Sequence, residues 1–141
     1  PIDFSNAKDA MRKNVLVRRK AINILQKNGV IAIFPAGAVA WSRKKGLPAE
    51  EEYWKPMLGK FINSSNCDFL LTKFEGQNSN LFHLASRFHQ TMKQSLYLYE
   101  IKKSLDKPIK FKVCKYYKNE ELPKLNDRNL SLYLQNEIRK F

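Results

Sequence analysis

Apolar residues at the start of the chain recur at helical spacing. Ala7, Ala10, Met11, Asn14, Val17, Ala21, Ile24 and Leu25 fall near one face, and Lys8, Arg12, Arg19, Asn23 and Lys27 largely on the other. The spacing predicts a helix over residues 7–27, stopped at Asn28-Gly29 because glycine accepts the left-handed conformation. Val30-Ile31-Ala32-Ile33-Phe34 is a short unbroken apolar run ended by Pro35-Ala36-Gly37, the pattern of a strand buried on both faces. A basic loop over residues 41–48 follows. The next helix is predicted over 50–65, with Glu50, Glu51 and Glu52 in its first turn, where the helix dipole favours them. Trp54, Met57, Leu58, Phe61 and Ile62 supply its apolar stripe.

Residues 69–74 read as another strand, and Glu75-Gly76-Gln77-Asn78-Ser79 as a polar loop. A helix with a break is predicted over 80–104. Ile109, Phe111 and Val113 alternate with Lys110 and Lys112, which predicts a strand exposed on one side. A last helix over 127–140 points Leu130, Leu134 and Ile138 inward. Strands alternating with helices imply an α/β fold: a mixed, mostly parallel sheet flanked by helices, with right-handed connections. Ligands in such sheets bind outside the carboxyl ends of strands. Residues 34–41 and 75–79 fall there.

The length of 141 residues suits one domain. With 26 Lys and Arg against 13 acidic residues, the net charge of +13 favours polyanions: nucleic acid, anionic lipid surfaces or acidic partner proteins. No apolar run approaches the 18 or so residues of a membrane-spanning helix. Cys67 and Cys114 are isolated, fit no metal-ligand spacing and suit a reducing compartment. The chain opens mid-phrase at Pro1, and further sequence upstream is expected.

Three stretches carry a resemblance. Asn28-Gly29-Val30-Ile31-Ala32-Ile33-Phe34-Pro35-Ala36-Gly37 resembles the third sequence block of the glycerolipid (lysophospholipid) acyltransferases, Phe-Pro-Glu-Gly-Thr in the wider family. Phe34, Pro35 and Gly37 match it, while Ala36 replaces the Glu and Ala38 the Thr. Pro1-Ile2-Asp3-Phe4-Ser5 resembles the second block, with Phe4 where Arg is frequent. Phe74-Glu75-Gly76-Gln77-Asn78-Ser79 follows the strand of the fourth block, whose usual Pro is Leu71 here. The Phe-Pro-Ala-Gly version is similar to a bacterial branch that includes lyso-ornithine-lipid O-acyltransferases and proteins labelled hemolysins. The likeness spans residues 1–115. It implies that 1–118 are the C-terminal part of an acyltransferase domain and 119–141 a helical extension.

The resemblance further implies a transferase of lipid biosynthesis, peripheral on the cytoplasmic face of the membrane. It would move a fatty acyl group from an acyl carrier protein or coenzyme A thioester, as co-substrate, to a lysolipid hydroxyl. No other cofactor is implied. In the family a His-x-x-x-x-Asp motif supplies a general base and the carboxylate that orients it. His83 is followed five positions later by Phe88 and His89 by Gln94, so neither matches, and the motif is expected before Pro1. The chain then keeps only the acceptor side: Phe34, Pro35 and Gly37 in the binding loop, with Arg43, Glu75 and Asn78 as polar groups nearby.

Residue chemistry supports such a site without requiring it. A strand ending in Pro-x-Gly exposes backbone N–H groups that can cradle an anion, yet the same residues also make an ordinary turn. Arg43, Lys44 and Lys45 follow within reach of a phosphate or a lipid headgroup. In the family the Ala36 position belongs to glycerol-phosphate recognition, and Ala can neither hydrogen-bond nor carry charge there, so the resemblance implies a zwitterionic amino-acid lipid rather than glycerol phosphate. Glu75, Gln77 and Asn78 can equally be solvated loop residues, with Asn78 or Ser79 capping the next helix. His83 and His89, six apart, do not share a helix face and read as surface or half-buried residues rather than metal ligands. The rival class is a non-catalytic basic module binding nucleic acid or anionic membrane. It rests on the charge and on Tyr97, Tyr99, Tyr116 and Tyr117, but no nucleic-acid recognition motif is present, and no nucleic-acid partner is expected.

Overall fold

The computed structural model describes residues 8–141. The Pro1-Ile2-Asp3-Phe4-Ser5 block and the Ala7 start of the first helix lie outside them. Helix α1 (Lys8–Gln26) ends close to expectation, but the left-handed residue is Asn28, with φ 59°, not the glycine. Gly29 N–H reaches back to the Ile24 carbonyl at 2.9 Å and Asn28 N–H to Leu25 at 3.1 Å, a Schellman ending. Gly29 is needed for room: a Cβ there would sit 2.5 Å from Ile24 Cγ2.

The core is built where α2 (Met57–Ser65) crosses α6 (Asp127–Ile138). Of the predicted stripe, Trp54, Leu58, Phe61 and Ile62 are buried and Met57 is half-buried, and Leu130 and Leu134 from α6 are buried with them. Gly59 lets the backbones touch: a Cβ there would lie 2.0 Å from the Asp127 carbonyl oxygen. Its N–H, one of the orphan donors of the first turn, donates to Ser131 Oγ at 2.9 Å. Ser131 in turn donates to its own helix at the Asp127 carbonyl, 3.0 Å away. Residues 119–141 thus share one core with α2 and with Leu71.

The 50–65 helix begins late, at Met57. Lys55 precedes proline and is steered away from helical backbone, so Pro56 opens the helix. The three glutamates are not in its first turn. Glu50 forms an antiparallel bridge with Trp41, with N–H···O bonds of 3.2 and 3.1 Å in the two directions. Residues 52–54 are gripped by buried Gln135 from α6, which accepts from Trp54 N–H at 3.1 Å and donates to the Glu52 carbonyl at 2.9 Å.

The class is mixed helix and strand, but the expected mostly parallel sheet is not what forms. Strands β1 (Phe69–Glu75) and β2 (Lys110–Tyr117) make a two-stranded antiparallel sheet among the described residues. The connection between them folds as α3 (Asn80–Phe88), α4 (Gln90–Ser95) and α5 (Tyr97–Ser104), broken at His89 and Leu96, and it returns the chain against β1. The apolar run 30–34 joins no ladder, and Val30 is 93% exposed. A doubly buried strand needs a sheet to join and layers covering both faces, and this run meets β1 through the Phe34 and Phe74 rings rather than through backbone. Strand β2 is open on both faces over its first residues, since Phe111 and Val113 are exposed along with Lys110 and Lys112.

At its far end β2 is buried. Tyr117 OH donates to Glu137 Oε2 at 3.0 Å, and burial together with that bond pushes the phenol well above its usual range. Lys140 and Tyr117 hold the Glu137 carboxyl below the usual range for a glutamate. No helix among the described residues is long and apolar enough to cross a membrane.

The α2–α6 crossing gives a direct test. Gly59→Ala should destabilise the chain by roughly 3 kcal/mol, the upper end for overpacking, because the obstacle is backbone. Ser131→Ala should cost about 1–2 kcal/mol by orphaning the Gly59 amide. Urea unfolding of the two variants checks both, and a Gly59→Ala midpoint equal to wild type would contradict the close approach.

Candidate functional site

The Phe34-Pro35-Ala36-Gly37 segment is a tight turn. Gly37 N–H donates to the Phe34 carbonyl at 3.2 Å, and Gly37 has a φ of 67° that favours glycine. That N–H is therefore taken within the turn and is not free to cradle an anion. The Pro35 carbonyl accepts from Lys55 N–H at 3.0 Å, which ties the turn to the start of α2. Ala36, only 6% exposed, is part of the core with Trp54, Leu58 and Leu71. Phe34 points the other way, 74% exposed, and its ring stacks on Phe74 at 6.1 Å between centroids. Phe74 in turn meets its cross-strand partner Phe111 at 5.8 Å.

This stack joins the two resembling stretches, since Phe74 immediately precedes Glu75. Glu75 is exposed at the end of β1 and sits opposite Lys110 in the ladder. Gly76 turns the chain with a φ of 122°. Asn78 is half-buried, and the cap of α3 is its neighbour Ser79, whose Oγ accepts from Phe82 N–H at 3.2 Å. Buried Glu100 from α5 anchors that cap by accepting from the Ser79 amide at 3.0 Å and from its hydroxyl. Arg43 is turned into its own loop: it pairs with Glu52 at 3.5 Å and Glu50 at 3.8 Å, and its guanidinium lies 5.9 Å from the Trp41 ring. Lys44 and Lys45 are exposed beside it.

One cluster escapes a reading of the sequence. His83 is not a surface or half-buried residue: it is 5% exposed, and its Nδ1 accepts the Ser42 backbone N–H at 3.2 Å. An accepting Nδ1 places the ring proton on Nε2, which has no partner of ordinary hydrogen-bond geometry among the described residues. Burial, reinforced by the Arg87 charge, lowers the affinity of His83 for a second proton, while Glu100 and the Asn78 backbone pull weakly the other way. Arg87 donates from Nε to the Ser42 carbonyl at 3.1 Å. Lys93, 3% exposed, donates to the Val39 carbonyl at 3.0 Å and lies between the Trp41 and Phe82 rings, 5.8 and 5.9 Å from their centroids. Burial pushes the Lys93 ammonium down, opposed by Glu52. Three basic side chains from α3 and α4 thus hold the backbone of residues 39–42, directly after the Phe34–Gly37 turn. His83 and Arg87 stand four apart, a same-face spacing visible in the sequence. His89 acts elsewhere. It is exposed, and its Nδ1 caps α4 by accepting from Thr91 N–H at 3.1 Å.

No family model, curated protein or solved structure matches this chain.

Burial of Ala36 has a measurable consequence. Ala36→Glu places an unpaired carboxylate among Trp54, Leu58 and Leu71 and should lower the unfolding free energy by roughly 3 kcal/mol or more at neutral pH. The loss should shrink on acidification, because burial favours the protonated acid. Urea unfolding of variant and parent at neutral and acidic pH measures this; equal midpoints would place position 36 off the core.

Proposed function

We propose that this chain is the acceptor-side part of an acyltransferase that moves a fatty acyl group from an acyl carrier protein or coenzyme A thioester to a lysolipid hydroxyl. The observation that carries the reading is the Phe34–Phe74 stack, because it joins two stretches that resemble separate blocks of one family. Phe34, Pro35 and Gly37 form the acceptor turn, with Glu75 and Asn78 at the adjoining strand end. Ala36 acts as the anchor that seats the turn on the core, so it recognises nothing itself. A lyso-ornithine or lysophosphatidate-like lipid fits the reading, the zwitterionic lipid better, because Ala36 stands where the family has Glu and can neither hydrogen-bond nor carry charge. The general base and its carboxylate belong to a His-x-x-x-x-Asp segment outside these residues, within a mixed sheet larger than the β1–β2 pair. The exposed row Phe34, Phe74 and Phe111, in a chain of net charge +13, suits peripheral contact with an anionic membrane at its cytoplasmic face.

A lysolipid carrying a photoreactive headgroup, mixed with the 141-residue chain and mapped by peptide, tests the site. Label is expected on residues 34–37 and 75–78, and label confined to other segments would sink the assignment. The purified chain should show no acyl transfer by itself. It should bind anionic vesicles in preference to an oligonucleotide at both about 0.1 M and about 0.5 M salt, where exposed charges are screened to different extents. Preference for the oligonucleotide would favour a nucleic-acid module.

A further inference from the structure

The backbone of residues 39–42 is irregular, and its polar groups need partners. Two of its holds are cationic donors on carbonyls: Lys93 on Val39 and Arg87 on Ser42. The third has the opposite polarity. The Ser42 N–H donates, and its acceptor is an imidazole nitrogen. A histidine accepts only while neutral, because protonation makes both ring nitrogens donors.

We propose that His83 is a proton-operated latch on the basic loop: neutral, it fixes the Ser42 backbone; protonated, it repels it and frees the segment that carries Trp41 and Arg43. The proton adds to Nδ1, and the Ser42 N–H then faces another N–H in a buried site. The surrounding charges oppose any accommodation. Arg87, on the same helix, already points its guanidinium at the Ser42 carbonyl. Lys93 from α4 places a second cation beside the neighbouring Trp41 ring. Glu100 from α5 is the attractive group, but its carboxylate oxygens are engaged by the Ser79 amide and hydroxyl. On the loop side Glu50 and Glu52 are paired with Arg43, and Glu52 also acts on the Lys93 ammonium.

The direction in pH follows. The folded state binds this proton less readily than the unfolded chain, whose histidine titrates near 6.5. The stabilising contact is therefore complete above that value and is lost as pH falls below it through the lower folded value. The latch concerns the loop that continues the proposed acceptor turn. It rests on the acyl-transfer reading only for what that loop binds, so its test follows the loop and not the chemistry.

Trp41 is the reporter. Emission of the 141-residue chain is followed from about pH 7.5 to about pH 5, the span in which a histidine changes charge, with far-ultraviolet circular dichroism as a check on the fold. A transition below 6.5 is expected in wild type and should vanish in Trp41→Phe, which leaves Trp54 as the only indole. His83→Asn keeps an acceptor where Nδ1 stands but cannot titrate, so it should hold the neutral-pH emission throughout. In wild-type NMR spectra the Ser42 amide should lose protection about ten-fold, after correction for intrinsic exchange, as the His83 ring titrates. A flat wild-type profile, the same transition in His83→Asn, or Ser42 protection indifferent to His83 titration would overturn the latch. Should His83→Asn not fold, the wild-type exchange measurement decides alone.

Discussion

Everything in this chain leans on one contact without a side chain, the crossing of α2 over α6 at Gly59. The Asp127 carbonyl occupies the space where a Cβ would stand. Helices at that distance interlock their apolar rows, which is how short helices bury Leu58, Ile62, Leu130 and Leu134 completely. The closeness also solves a polar problem. An α2 amide with no acceptor in its own helix meets Ser131 of the other helix, and Asn63 from α2 donates to Asp127 Oδ1 at 2.9 Å and to the Leu125 carbonyl at 3.2 Å. Packing and hydrogen bonding thus fix the same register, and neither would be satisfied by sliding one helix along the other.

From that crossing the order spreads through buried polar side chains that grip irregular backbone. Gln135 holds residues 52–54, which brings Trp54 into the core and sets Glu52 and Glu50 where Arg43 meets them. The Trp41–Glu50 bridge closes the loop, and His83, Arg87 and Lys93 hold its other side. Buried backbone outside helices and sheets must find partners among side chains. Here those partners come from α3, α4 and α6, so the basic loop is positioned by helices on both flanks and not by a strand of its own.

What can be read in the chain divides along a physical line. Periodic elements are legible: α1, β1, the α2 stripe and α6 with Leu130 and Leu134 inward follow from local spacing. The α2 start is not, because Pro56 overrides a favourable acidic first turn. The unbroken 30–34 run predicts a buried strand, but burial depends on neighbouring strands, which local spacing cannot supply. At the candidate site, the Phe34–Gly37 turn and the Ser79 cap are readable from Pro, Gly and Ser. Ala36 as a core residue, and Lys93 and His83 as buried holds, are not: each depends on contacts between residues 36–42 and segments tens of residues away. Arg43 shows the same limit from the other side. Its neighbours in sequence, Lys44 and Lys45, suggest a free cation, whereas its partners Glu50 and Glu52 come from the returning arm of the loop.

The acidic and basic side chains are used differently in these contacts. Acidic side chains are repeatedly occupied by internal donors. Glu100 takes the Ser79 cap, Glu51 the Trp54 indole at 2.8 Å, Asp68 the Asn119 amide at 2.9 Å and the Tyr116 hydroxyl, and Glu137 takes Tyr117 and Lys140. Most of these bonds are to neutral groups, so they hold the fold together without neutralising a cation. Several lysines, in contrast, line open positions: Lys44 and Lys45 in the loop, and Lys73, Lys110 and Lys112 along the β1–β2 ribbon. The net charge of +13 comes from composition, 26 basic against 13 acidic residues, and these lysines carry part of it on the surface while Lys93 is buried. On the ribbon, Phe74 pairs with Phe111 in register while Lys73 pairs with Lys112 one step along, so successive pairs point to opposite faces. One face therefore offers aromatic rings and the other ammonium groups, and that separation, rather than the net charge alone, gives the surface a direction.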